Sequence, residues 1–144
     1  MAIVLTRKFR FEAAHYIPTF PDGHKCRRMH GHSFKVTVAI EGQPDPNTGI
    51  LMDFADVKAI VNPLVELLDH DCLNDIGKSR GIQLLINPTS ENIAQWFFEE
   101  LYPHLPGLKS IKVAETCTSA CKFTAAGMQR AAGSSAGTGT GAGT

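Results

Sequence analysis

Hydrophobic and polar residues alternate along several stretches of the chain, which is the pattern of strands that bury one face. Strands are predicted at residues 4–15, 30–42, 50–54, 108–116 and 121–125. The buried row of the first strand ends at His15, and the buried row of the second begins with His30 and His32. Because antiparallel neighbours place the end of one strand beside the start of the next, we expect the three imidazoles to meet.

Apolar residues recur at helical spacing in two further segments. The first helix is expected to begin after Asp53, whose carboxylate suits an N-cap, and to be kinked or restarted at Pro63. The second opens at the sequence NPTSEN, with Thr89 or Ser90 as its cap. The connection 76–88 has no pattern that predicts its structure. The order β, β, α, α, β, β predicts an α+β fold, a four-stranded antiparallel sheet with two helices on one face.

Length and composition indicate one small globular domain. The chain has 144 residues and 43% hydrophobic residues, and its 14 basic and 14 acidic side chains cancel. This balance argues against non-specific binding to nucleic acid or to an anionic membrane. Residues 131–144 contain only Ala, Gly, Ser and Thr. We therefore expect a domain at residues 1–126 and a flexible tail at residues 127–144.

Two features predict a cytoplasmic protein with no membrane partner. No apolar run approaches the length of about 18 to 20 residues that spans a bilayer. The N-terminal sequence lacks the ordered regions of a secretion signal, so the four cysteines are expected to stay reduced.

Three histidines from two strand ends are suited to bind one metal ion. His30 and His32 leave the same face of their strand, and His15 is expected beside them. Three nitrogen ligands with a fourth position open are typical of catalytic zinc, which we favour over iron or copper. Ordinary structural histidines are the alternative.

Cys26 lies four residues before His30 in the same loop. It is a candidate fourth ligand, which would close the metal site into a structural one. It is also a candidate nucleophile or general base, because neighbouring basic residues favour the thiolate.

The segments FEAAH, CRRMHGHSF, LMDF, LDHD, NPTSEN and ETCT occur in the order seen in the 6-pyruvoyl-tetrahydropterin synthase superfamily. The chain resembles that family over residues 3–124. The C-x3-H-G-H spacing is similar to that of its bacterial 6-carboxytetrahydropterin synthase branch, in queuosine biosynthesis. The resemblance implies the tunnelling fold, in which trimers close a β-barrel, two trimers stack into a homohexamer, and active sites lie between subunits.

The resemblance also implies roles for particular residues. Zinc would be bound by His15, His30 and His32. Cys26 would abstract a proton from the substrate, and Asp69 with His70 would handle protons on the other side. Glu115 would hold the pterin ring. Taken alone, His70 is also consistent with a histidine favoured by the dipole at a helix C-terminus, Asp69 with a solvated surface residue, and Glu115 with a strand-edge residue reaching solvent.

The substrate implied by the resemblance, 7,8-dihydroneopterin triphosphate, requires an anion site. The candidates are Lys25, Arg27, Arg28 and the helix start at Thr89 and Ser90. A solvated basic loop and plain helix capping are the alternatives.

The implied reaction is zinc-dependent carbon–carbon cleavage, which yields 6-carboxy-5,6,7,8-tetrahydropterin, acetaldehyde and triphosphate. The first alternative is elimination of triphosphate to give 6-pyruvoyl-tetrahydropterin. The second is a non-catalytic zinc-binding interaction module.

Overall fold

The computed structural model describes residues 2–126, which form one five-stranded sheet packed against helices. Its elements are β1 (Ile3–His15), β2 (His30–Gly42), α1 (Phe54–Leu68), β3 (Asp71–Cys72), α2 (Leu73–Arg80), α3 (Gln83–Ile86), α4 (Ser90–Leu101), β4 (Leu108–Ala114) and β5 (Ala120–Thr124). The predicted tail at residues 127–144 lies outside the described residues, and the division at residue 126 stays a prediction.

The hairpin of β1 and β2 is the centre of the sheet. The two strands pair antiparallel along their whole length, from Ile3 opposite Gly42 to His15 opposite His30. Alternate side chains of both strands enter the core, where Phe11 and Phe34 stack with ring centroids 5.0 Å apart. The apolar alternation therefore fixes the register and carries the histidines to one end of the core face.

Two helices cover this face as the spacing predicted. Asp53 caps α1 by accepting a hydrogen bond from the Ala55 N–H at 2.8 Å, and Thr89 caps α4 by accepting one from the Asn92 N–H at 3.1 Å. The buried side chains of α4 include Ile93, Trp96, Phe97 and Leu101, which recur at helical spacing. The helix α1 continues as one element through Pro63.

The sheet differs from the predicted four-stranded antiparallel arrangement. Its order is β3-β1-β2-β4-β5, and β3 pairs parallel with β1 through Ala13 and Ala14. The connection after α1 folds into α2 and α3, so residues 2–126 contain the four helices α1 to α4 where two were predicted. A strand at residues 50–54 was a wrong prediction, because residues 43–53 form a loop that ends at the α1 cap. The fold is thus α+β with a mixed sheet.

The sheet of this chain is open, with β3 and β5 at its edges, so a barrel is not formed within residues 2–126. Within the same residues, no helix combines the length and the apolar character that crossing a membrane requires.

Candidate metal centre and active site

The register of the hairpin brings the three predicted histidines together. His15 lies opposite His30, and His32 lies opposite Ala13, two positions along the same face. One ring nitrogen from each histidine lies within 4.8 Å of the corresponding nitrogens of the other two. The sequence prediction that these side chains converge is therefore confirmed. Cys26 is not a member of this group among residues 2–126.

Main-chain carbonyl groups determine which nitrogen two of the rings present. His15 Nδ1 lies 2.8 Å from the Pro88 oxygen, and His30 Nδ1 lies 2.7 Å from the Arg28 oxygen. A carbonyl oxygen can only accept a hydrogen bond, so each Nδ1 carries the proton and each Nε2 keeps its lone pair. A main-chain oxygen that accepts a hydrogen bond from the other ring nitrogen is typical of metal-binding histidines.

The buried nitrogens of the cluster lack protein partners. His15 Nε2 and His32 Nε2 are buried, and neither has a hydrogen-bond partner among the described residues. Burial lowers the pKa of both imidazoles, although the nearby Glu115 carboxylate opposes this effect. The neutral ring is the form that binds metal. Because an unpaired buried polar atom is costly, the cluster fits a metal ion that satisfies these nitrogens.

Glu115 places a carboxylate beside the histidines. It follows the end of β4 and continues the buried row of Ile111 and Val113. Its Oε1 lies 4.0 Å from His15 Nε2, and its Oε2 lies 3.8 Å from His32 Nε2. A half-buried carboxylate beside a metal-ligand cluster can accept hydrogen bonds from the N–H groups of a bound ring. The role of Glu115 as the pterin anchor stays a prediction.

Cys26 and Glu115 line one cavity of about 250 Å³ with His15 and His30. Cys26 lies in a single 3-10 turn, Lys25–Arg27, and is half-buried. Its carbonyl accepts a hydrogen bond from the Ile17 N–H at 2.9 Å, which ties the turn to the chain just beyond β1. The cavity therefore combines a thiol, a carboxylate and two of the possible metal ligands.

The basic residues around Cys26 are placed differently from one another. The Arg27 guanidinium pairs with Asp22 at 3.2 Å and donates to the Pro18 and Phe20 carbonyls at 2.8 Å. These contacts hold the loop 16–29 in shape. Lys25 and Arg28 are exposed. The phosphate-binding role of these side chains stays a prediction. In this structure the Arg27 guanidinium is already engaged in contacts within the loop.

Asp69 and His70 form a hydrogen-bonded pair, with His70 Nδ1 2.9 Å from Asp69 Oδ2. The main chain fixes both: the Glu12 N–H donates to Asp69 Oδ1 at 2.9 Å, and the His70 N–H donates to the Glu12 carbonyl at 2.6 Å. The hydrogen bonds from the Glu12 N–H and His70 lower the pKa of Asp69. His70 adopts a φ of 59°, an uncommon conformation that turns the chain from α1 into β3.

This pair does not share the cavity of Cys26. His70 is 78% exposed and lines a separate open groove of about 570 Å³ on the other side of the hairpin end, which His32 also borders. The predicted catalytic residues of a single chain are therefore divided between two cavities that meet at the histidine cluster.

Thr89 and Ser90 begin α4 and line the cavity of Cys26. The Thr89 hydroxyl is engaged as the helix cap, which agrees with the simpler of the two sequence interpretations. The cavity is also lined by residues outside the predicted site, which are Ile17, Phe20, Glu91, Ser119, Ala120 and Cys121. Burial raises the pKa of Cys121 to about 11, so this thiol is protonated at neutral pH. In the sequence, the position of Cys121 on the inward-facing row of β5 was the signal that could have identified it as a cavity residue.

Comparisons with known proteins agree with this geometry. Residues 4–126 match a family model described as 6-pyruvoyl tetrahydropterin synthase. A 6-carboxy-5,6,7,8-tetrahydropterin synthase from Synechocystis is 44% identical over 126 residues, covering 83% of this chain and 92% of that protein. A putative enzyme of the same name from Archaeoglobus fulgidus is 45% identical, covering 73% and 81%. The Caenorhabditis elegans 6-pyruvoyl tetrahydropterin synthase has the same fold, with a TM-score of 0.75 and 24% identity over 86% of this chain and 96% of that one.

Proposed function

The chain belongs to the 6-pyruvoyl tetrahydropterin synthase family, and we propose that it is a 6-carboxy-5,6,7,8-tetrahydropterin synthase. The reaction consumes one water molecule, cleaves a carbon–carbon bond of 7,8-dihydroneopterin triphosphate and releases acetaldehyde and triphosphate, leaving 6-carboxy-5,6,7,8-tetrahydropterin. Relatives with this printed name support the assignment over most of the chain. The proposal includes a cytoplasmic location and a place in queuosine biosynthesis.

One observation carries the proposal: three imidazole nitrogens within 4.8 Å of one another lie next to a cavity lined by both a thiol and a carboxylate. A structural metal site requires ligands only. The additional Cys26 and Glu115 side chains supply a proton acceptor and a ring anchor, which a lyase acting on a pterin needs. This argues against the non-catalytic zinc-binding module.

His15, His30 and His32 would hold the metal, for which we propose zinc. Bound zinc supplies Lewis-acid polarisation of oxygen atoms on the substrate side chain. The Pro88 and Arg28 carbonyls keep two of the ligand rings in the tautomer that presents Nε2. Glu115 accepts hydrogen bonds from the pterin amino group and ring N–H, which orients the side chain of the substrate towards Cys26.

Cys26 acts as the base that removes a proton from carbon, and it does so as the thiolate. His70, held by Asp69 at 2.9 Å, transfers a proton on the other side of the substrate. Because these groups line different cavities of one chain, we propose that a complete site uses Cys26 of one subunit and His70 of a neighbour. A homohexamer built from two trimers, each closing a β-barrel through sheet edges, would bring them together.

The experiment is a turnover assay on 7,8-dihydroneopterin triphosphate with mass spectrometry of the pterin product and a separate assay for acetaldehyde. We expect 6-carboxy-5,6,7,8-tetrahydropterin and acetaldehyde, with activity lost on chelation and restored by zinc. A 6-pyruvoyl product without acetaldehyde would replace the proposed activity with triphosphate elimination, and no turnover by the zinc-loaded protein would reject both.

A matched pair of histidine variants tests the metal centre in the same assay. His30→Ala removes a ligand and should abolish both zinc binding and turnover. His104→Ala changes an exposed histidine that lines neither cavity and should leave both unchanged. Equal behaviour of the two variants would contradict the proposed site.

A further inference from the structure

Asn74 is a fully buried polar residue that the proposed reaction does not use. It lies in the first turn of α2 and has a relative exposure of 0%. Its Oδ1 accepts a hydrogen bond from the Tyr16 N–H at 3.0 Å, and its Nδ2 donates to the Tyr16 carbonyl at 2.8 Å and to the Ile86 carbonyl at 3.2 Å. One side-chain amide thus satisfies three main-chain groups from two distant segments.

Both segments contain a part of the metal centre. Tyr16 directly follows His15, and Ile86 lies two residues before Pro88. The Pro88 carbonyl accepts the His15 Nδ1 hydrogen bond of 2.8 Å. Asn74 therefore connects the segment that contains the metal ligand His15 with the segment that contains Pro88, whose carbonyl accepts the hydrogen bond from His15 Nδ1.

From this geometry we infer that Asn74 is a positioning residue for the metal centre: it holds the Pro88 carbonyl against His15 Nδ1 and so maintains the tautomer in which His15 Nε2 faces the metal. The inference rests on the metal site of the proposed function and not on the identity of the pterin product.

Asparagine has the hydrogen-bonding groups that this position requires. An aspartate keeps the acceptor for the Tyr16 N–H but loses both donors and turns its second oxygen towards the Tyr16 and Ile86 carbonyls. An apolar residue leaves all three main-chain groups unpaired in the interior. Pro88 itself has no N–H. Further contacts in the segment 86–88 are made by Asn87, whose carbonyl accepts hydrogen bonds from the Asn92 side chain at 2.9 Å and from the Thr89 N–H at 2.8 Å, and whose Oδ1 accepts one from the Thr19 hydroxyl at 3.1 Å. Among the described residues, Asn74 is the side chain that joins this segment to Tyr16.

A residue that only stabilises the fold would show the same burial, so the test needs a readout that stability alone does not move. We choose the tautomer of His15 in the metal-free protein, read from long-range ¹⁵N–¹H spectra of the imidazole at pH 8, together with the dissociation constant for zinc from competition with a chromogenic chelator. The variants are Asn74→Asp and the milder Asn74→Ser.

The matched control is Val57→Ala, a core truncation near the start of α1. That end of the helix lies beside Arg7, whose guanidinium donates to the Phe54 carbonyl, in the half of β1 away from His15. This variant should lose stability while keeping the His15 tautomer and the zinc affinity of the wild type.

We expect the wild type to show His15 protonated on Nδ1 alone, and the Asn74 variants to show both tautomers and about tenfold weaker zinc binding. Variants that lose stability as Val57→Ala does, but keep one tautomer and the wild-type affinity, would overturn the inference. If the wild type itself binds no zinc, the proposed metal site fails, which is a separate outcome that also removes the basis of the inference.

A measurement on the wild type covers the case in which both Asn74 variants fail to fold. Coupling between two sites is reciprocal, so zinc binding must stabilise the contacts that position His15. The Tyr16 amide, which donates to Asn74 Oδ1, should exchange its hydrogen at least several-fold more slowly with zinc than without. The Leu5 amide, at the far end of β1, is the reference. The role of Asn74 would be contradicted if zinc left the exchange rate of the Tyr16 amide unchanged, or if zinc slowed the Tyr16 and Leu5 amides by the same factor.

Discussion

A carbonyl oxygen can only accept a hydrogen bond, and this property determines how two of the candidate metal ligands are presented. The Pro88 and Arg28 carbonyls receive the Nδ1 protons of His15 and His30. The spacing of the histidines predicted that the three rings converge. It could not reveal the carbonyls or Asn74, because main-chain acceptors have no sequence signature and Asn74 lies in a segment without hydrophobic periodicity.

At the residue scale, Cys26 is the proposed base. The variant Cys26→Ala should lower kcat by about 10² to 10⁴-fold while retaining full zinc content, since removal of a general base affects proton transfer and leaves the three nitrogen ligands in place. Turnover with the natural substrate and metal analysis of the same sample provide the measurement. Cys117→Ala, at an exposed cysteine outside both cavities, is the control. Undiminished turnover in the Cys26 variant would eliminate the proposed base.

The buried histidines make stability depend on pH. Burial lowers the pKa of His15 and His32 below the ordinary value of 6.5. The unfolded chain therefore binds more protons than the folded one as the pH falls through 6.5, so the free energy of unfolding of metal-free protein should decrease from pH 7.5 to pH 5.5. Above pH 5 the carboxylates with lowered pKa values, Glu12 and Asp69, remain ionised in both states.

Urea unfolding across this pH range checks the effect. His15→Gln should flatten the pH dependence, because it removes one of the two groups responsible, whereas the exposed His104→Gln should keep the wild-type slope. A slope that is the same in all three proteins would show that the buried imidazoles do not titrate as described.

At the scale of elements, pattern length decided what the sequence could predict. The strands β1 and β2 alternate over many residues, so the face on which each side chain lies and the meeting of the two strand ends followed from the sequence. The strand β3 has two residues and α3 has four, too few for any period to appear. The expected strand at residues 50–54 failed because its apolar residues pack against the core from a loop, as Leu51 and Met52 do.

A glycine at the start of β4 positions that strand against β2. Gly107 has a φ of +82°, and an added Cβ there would collide with the Glu41 carbonyl oxygen. The Glu41 N–H also donates a hydrogen bond to the Gly107 carbonyl at 2.8 Å. Gly81 has a φ of +68°, but an added Cβ at Gly81 would meet open space. Gly81→Ala should therefore cost about 1 kcal/mol from backbone strain alone. Gly107→Ala should cost about 1–3 kcal/mol more, from the added collision.

The two unfolding free energies come from urea titrations of purified variants. Because both glycines have positive φ, their difference isolates the steric contact between the start of β4 and β2. Equal destabilisation by the two substitutions would mean that the Glu41 contact does not constrain the sheet.

At the scale of the whole molecule, the main structural feature is that the proposed catalytic groups are divided between two cavities. Cys26 faces the cavity of about 250 Å³, while His70 faces the open groove. The motifs predicted both residues, but no pattern in one sequence shows which chain completes which site. The strands β3 and β5 are the open edges of the sheet, and subunits of a closed assembly would pair through these edges.

Subunit mixing tests the shared site. Cys26→Ala and His70→Ala are each expected to be inactive. After the two are unfolded together and refolded at equal amounts, about a quarter of the sites should contain both intact groups if one comes from each subunit. Turnover near that fraction of the wild-type value would support sites between subunits. Mixtures as inactive as the separate variants would place Cys26 and His70 in sites formed by a single chain.

The proposed function depends on His15, His30 and His32 forming one metal site with an open position. The decisive measurement is X-ray absorption spectroscopy of the zinc-loaded protein. We expect one zinc per chain with nitrogen and oxygen ligands at about 2.0 to 2.1 Å and no sulfur ligand. A full sulfur contribution at about 2.3 Å would mean that Cys26 closes the site, and a protein that retains no zinc would contradict the claim entirely.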